Sequence, residues 1–199
     1  MKNAILTTVI TINLALAAGS AYAANLSSLA RGVSSAPSFA FIKNGQPTLA
    51  PFAHVKFCME NPDECRASDG STTVSWTAAM QRKIREINDS INRTIIGIND
   101  TSADDYADDW KVNVKQGDCE DFALSKRDQL IASGIPARAL RIAVTRTPSG
   151  EGHAVLVVKT TRGDLVLDNR TNRIKNWRKT DLQWVKIQSG DNPRMWYDI

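Results

Sequence analysis

The periodicity of this chain changes once, at Gly134-Ile135-Pro136, and that change limits what the chain can fold into. Upstream, Trp76, Met80, Ile84, Ile87, Ile91 and Ile95 recur at steps of four and three, so an amphipathic helix with a buried stripe is expected from Ser75 to about Ile98. A second helix is expected from Cys119 to about Ser133, with Asp118 as N-cap, Asp121 at the capping-box position, and Gly-Ile-Pro ending it. Downstream, the apolar residues crowd into short runs. Ala137 to Arg146, His153 to Thr160 and Leu165 to Asp168 are expected as strands, separated by Pro148-Ser149-Gly150 and Arg162-Gly163, and Trp184 to Ile187 is a further candidate. Without an internal repeat, this order predicts one α+β domain.

The chain opens with Lys2, an apolar stretch from Ala4 to Ala18 and the small-residue site Ala21-Tyr22-Ala23, the pattern of a secretory signal peptide over residues 1–23. The competing reading is a membrane anchor that is never cleaved, which the Ala-x-Ala site disfavours. No second apolar segment is long enough to span a bilayer, and no cysteine near the cleavage site invites a lipid. A periplasmic or secreted protein without stable membrane insertion is expected. The formal charge of +4 drops by one without Lys2, leaving a mildly basic product. Arg162, Arg170, Arg173, Lys175, Arg178 and Lys179 collect late in the chain, but interspersed Asp and Asn favour a solvated face over an anion-binding patch. Export also argues against nucleic acid as a partner.

Residues 24–50, rich in Ser, Ala, Gly and Pro, are expected as an irregular N-terminal lead, and 51–199 as the folded domain. Cys58 and Cys65 flank an Asn61-Pro62 turn, and in an oxidising compartment a local disulfide is expected; zinc would prefer shorter ligand spacing and more histidine. An acidic loop at Asp104, Asp105, Asp108 and Asp109 leads to Trp110, which either walls a site or packs in the core.

Cys119 is the odd one of three cysteines, at the first turn of its helix. The thiolate is the nucleophilic form, and a helix N-terminus favours it with unpaired amides and a partial positive charge. Of two histidines, His153 is the better base, because His54 lies beside the expected disulfide. Asp168 closes the following run and would orient the imidazole. One hairpin register pairs it directly with His153; a tighter turn at Arg162-Gly163 pairs it with Val157 and spoils the geometry. Asp118, Glu120 and Asp121 admit two readings: a calcium site, because three carboxylates beside a nucleophilic sulfur call for a cation, or complements to the helix N-terminus alone.

Gly117-Asp118-Cys119-Glu120-Asp121-Phe122-Ala123, then Lys126, Leu130 and Gly134, then Gly152-His153-Ala154-Val155-Leu156 and Leu167-Asp168-Asn169, resemble the bacterial transglutaminase-like cysteine proteinases, a periplasmic family. The resemblance covers nearly the whole of the expected mature chain. It implies a papain-like, transglutaminase-like fold, with the nucleophile at a helix N-terminus packed on an antiparallel sheet. It also implies Cys119 as nucleophile, His153 as general base and acid, Asp168 as its orienting partner, and calcium dependence with Asp118, Glu120 and Asp121 at the family's acidic positions. Some members release large surface adhesins by cutting near their N-termini, under an inner-membrane receptor that sequesters the protease. The expected function is therefore a cysteine endopeptidase. Its rivals are an acyl transferase that passes the same thioester to an amine, a non-catalytic binding module, and a cell-wall amidase.

Overall fold

The run Val155-Leu156-Val157-Val158 is apolar on both sides of a strand, so a sheet containing it needs cover on both faces. The computed structural model, which describes residues 40–98 and 109–199, supplies that cover. The expected signal peptide, the lead before Ala40, and Asp104, Asp105 and Asp108 lie outside the described residues. In chain order the elements are β1 (Pro47–Thr48), α1 (Phe52–Glu60), α2 (Ala78–Thr94), β2 (Ile96–Gly97), β3 (Gln116–Gly117), α3 (Cys119–Ala132), β4 (Leu140–Arg146), β5 (Gly152–Thr160), β6 (Gly163–Leu167), β7 (Lys175–Asn176), β8 (Gln183–Gln188) and β9 (Trp196–Asp198). Seven strands form one antiparallel sheet in the order β1-β9-β8-β4-β5-β6-β7.

Alternation along β5 divides the core. Leu156 and Val158 join Ile84, Ala123, Leu130, Ile142 and Trp196 in a cluster that includes residues of α1, α2 and α3. Val155 and Val157 join Ala143, Val166 and Ile187 in a second cluster, flanked by Trp177 and Trp184 at 89° to one another. Ile42 of the lead packs into that second cluster, and β1 pairs with β9.

α2 is shorter than its apolar period. Thr77 Oγ1 accepts the Met80 N–H and starts the helix, while Ile96–Gly97 leaves it to pair in parallel with Gln116–Gly117. That diversion places Gly117 two residues before Cys119. α1 escapes the sequence pattern, because Pro51 at its N-cap offers no side-chain bond and the exposed Phe52, Val55 and Met59 mask the buried face of Ala53, His54, Phe57 and Cys58. Before β4, Ala137–Ala139 form a single 3-10 turn instead of extending the strand.

Candidate active site

α3 begins at Cys119, whose free thiol is half-buried. The capping differs from expectation. Asp118 holds the N-cap position in extended backbone but makes no side-chain cap bond. Asp121, by contrast, fills its expected capping-box role: its carboxylate accepts the Asp118 N–H, and also the Lys111 N–H at 2.7 Å, tying the incoming chain to the helix start. A Cβ on Gly117 would collide with the Asp121 carboxylate, so glycine is required there. Burial, then the neighbouring Asp118 charge, pushes Asp121 up to about 7 despite those two N–H bonds.

The Cys119 thiol donates to Glu120 Oε2 at 3.3 Å and accepts the Ala154 N–H at 3.2 Å. Ala154 follows His153 at the start of β5, so the strand that carries the imidazole also grips the sulfur. His153 Nε2 lies 3.0 Å from Asp168 Oδ1, which leaves Nδ1 for the thiol. Burial alone would lower the His153 imidazole, but its bonds to Asp168 and Cys119 outweigh that and push it up to about 9. Burial would likewise raise Asp168, yet the bonds from His153 and Arg170 hold its carboxyl well below the usual range.

Neither expected hairpin register occurs. Thr160 pairs with Gly163 and Leu156 with Leu167, so the turn is the two residues Thr161-Arg162, one step between the alternatives. Asp168 lies just past the end of β6. Continuing the ladder would set it opposite Val155, which makes His153 its diagonal neighbour on the same face, and the side chains close the remaining gap.

Sequence reasoning missed the groups that fix Asp168. Arg170 donates its backbone N–H to Oδ1 at 2.9 Å and its Nε and Nη2 to Oδ2 at 3.0 and 2.9 Å, and its Nη2 also reaches Asp181. Asn92 of α2 donates to the Asp168 carbonyl at 3.2 Å. The late cations and the polar residues of the long helix were visible as types, but nothing in their spacing pointed to Asp168.

His54 lies elsewhere, edge-on to Trp110 and Trp196, with Gln188 3.1 Å from its Nε2. Burial, then Arg127 and Arg194, lowers it to about 4, which suits a neutral core histidine. Trp110 is part of that core. Cys58 and Cys65 are joined as a disulfide, so although His54 stands beside them, neither sulfur is available as a thiolate ligand for zinc. Asp118, Glu120 and Asp121 gather instead, with one oxygen from each within 4.8 Å of the others.

A helix with a free cysteine at its start packed on an antiparallel sheet, with sulfur, imidazole and carboxylate in a row, defines the class of papain-like cysteine hydrolases. Residues 44–199 match the family profile of the bacterial transglutaminase-like cysteine proteinases, BTLCP, and the chain belongs to that family. It is accordingly a cysteine peptidase with a transglutaminase-like fold. Among solved structures it is similar to calcium-bound LapG of Legionella pneumophila, with 28% identity and a TM-score of 0.51 over 59% of this chain and 68% of that one. A second LapG structure from the same organism aligns at 28% identity and a TM-score of 0.50, over 59% and 67% of the two chains. No curated protein sequence matches the chain.

Proposed function

We propose that the chain is a calcium-dependent cysteine endopeptidase, periplasmic or secreted, with Cys119, His153 and Asp168 as its triad. The observation that carries this reading is the line of contacts from Asp168 through His153 to the Cys119 sulfur at the first turn of α3. Cys119 Sγ attacks the scissile carbonyl carbon, and backbone amides at the helix start, that of Cys119 included, hold the oxyanion. His153 passes its proton to the leaving amine as the thioester forms. It then takes a proton from water, whose oxygen attacks the thioester and releases the acid and the thiolate. Asp168 keeps the imidazolium oriented, and Arg170 keeps Asp168 in place.

Asp118, Glu120 and Asp121 fit a hard, oxygen-seeking cation: three carboxylates converge, and burial already drives Asp121 to share its charge with a proton. Calcium bound there would draw the Glu120 carboxylate away from the Cys119 thiol, to which it is hydrogen-bonded, and offset the negative charge around the nucleophile. That a LapG structure is calcium-bound supports the assignment. The export pattern of residues 1–23 and the Cys58–Cys65 disulfide support an oxidising compartment. From the resemblance, the substrate is a large cell-surface adhesin cut near its N-terminus, and an inner-membrane receptor is the regulatory partner.

The test is to incubate the purified protein with calcium, a mixture of denatured proteins and a labelled amine, then map new backbone termini by mass spectrometry. New termini in wild type and none in Cys119→Ala are expected, with no amine incorporated at glutamine. Incorporation without new termini would make the acyl-transferase reading correct instead.

A further inference from the structure

Along α3, Cys119, Ala123, Lys126 and Leu130 fall on one face at steps of four, three and four. Ala123 and Leu130 belong to the main core, and Lys126 between them has no exposed surface at all. Its Nζ makes no hydrogen bond to any described residue. Methionine or leucine would fill this volume at lower cost, because an ammonium taken out of water with no hydrogen bond in return is strongly penalised. The charges that act on Lys126 are those of Asp168, beyond the end of β6, and Asp89 of α2.

Arg170 already fixes the Asp168 carboxylate through its backbone and side-chain N–H groups, so Lys126 is not needed to hold it in place. The effect left to Lys126 is on the other group that shares Asp168, the imidazole. We propose that Lys126 is a positioning residue of the triad, an electrostatic partner of Asp168 that competes with His153 for its negative charge and so sets how firmly the imidazole holds its proton. The inference rests on the Cys119-His153-Asp168 reading. His153 faces Cys119 and Asp168, both of which favour its protonated form. A general acid works best when its proton affinity lies near the working pH, and a cation attracted to Asp168 moves His153 in that direction while it keeps its charge. Burial pulls Lys126 itself down to about 7, against the attraction of Asp168 and Asp89, so the strength of this competition changes near neutrality.

With only two histidines in the chain, NMR of the imidazole ring protons follows His153 directly, with His54 as internal control. Lys126→Arg keeps a permanent cation, whereas Lys126→Met and Lys126→Gln remove it. The His153 midpoint is expected to be lower in the Arg variant than in either neutral variant, by about half a pH unit or more, with wild type at or between them. The wild-type His153 resonance should also carry a second inflection near pH 7, where Lys126 titrates, and the neutral variants should lose it. This comparison stands even if the Arg variant fails to fold. A lysine with a packing role alone would change the melting temperature and leave His153 unmoved. Equal midpoints in the Arg and neutral variants, or no inflection that depends on Lys126, overturn the proposal. Asp168→Asn separates this inference from the reading beneath it. If that variant leaves the His153 midpoint where it was, the triad itself falls; if it lowers the midpoint while no Lys126 variant moves it, only the Lys126 role falls.

Discussion

At His153, dehydration and charge oppose one another, and charge wins. The imidazolium is kept to about pH 9 against an ordinary value of 6.5. Its contribution to folding stability is therefore complete below about 6.5 and is lost as pH rises through about 9. The same proton is the one proposed to reach the leaving amine. We predict an alkaline limb near pH 9 in the pH–rate profile on denatured protein, moved to lower pH in Asp168→Asn. His153→Ala should lose roughly 10²–10⁴-fold in turnover. A limb that Asp168→Asn leaves in place would remove Asp168 from the triad. Cys119 and His153 stood out because unpaired cysteine and histidine are scarce in this chain and their chemistry is narrow, and Asp168 because it closes the run that follows His153. Arg170 and Asn92 did not, because arginine and asparagine serve too many ends for their type to be informative, and Lys126 stood in the family motif with no role attached. Each gains its meaning only where the fold brings it to Asp168.

Among the elements, the hairpin of β5 and β6 decides whether the imidazole and its carboxylate meet. The sequence announced a turn near Arg162-Gly163 but not its length, because the same alternation is compatible with registers that differ by whole steps. Gly163 selects the two-residue turn. Its φ is +113°, and an added Cβ would come within 2.5 Å of the Ala40 carbonyl oxygen and 2.8 Å of the Ala40 side chain. Gly163→Ala should therefore destabilise the fold by about 1–3 kcal/mol, read as a lower denaturation midpoint at unchanged slope. A neutral result would mean that the lead at Ala40 yields freely. The long helix was legible from its period, whereas its early end was not, because pairing of Ile96–Gly97 with Gln116–Gly117 is a long-range event that overrides local preference. α1 was invisible for another reason: its buried face of Ala53, His54, Phe57 and Cys58 is matched by exposed apolar Phe52, Val55 and Met59, so no contrast marks the stripe.

For the molecule as a whole, the acidic cluster at the start of α3 is where a small ion would reach the global fold. Asp121 ties the segment at Lys111 to the helix, so a cation held beside it strengthens the junction between α3 and the segment that leads into it. Calcium should raise the melting temperature in a concentration-dependent way and chelator should silence turnover, with magnesium a poor substitute because of its stricter geometry. Asp118→Asn with Asp121→Asn should abolish the thermal shift. Full activity in chelator, with no calcium heat by calorimetry, would return these carboxylates to helix capping. The sheet order carries a consequence in time rather than in space. β1 borders β9, and the Trp196 side chain of β9 is buried edge-on against His54 of α1, so the beginning and end of the domain are completed together. A chain that emerges N-terminus first presents Cys119, His153 and Asp168 before Trp196 arrives, but the core around them stays open until then. A chain truncated before Trp196 should therefore show no turnover on denatured protein, and an unfinished one should be harmless to whatever surrounds it as it is made.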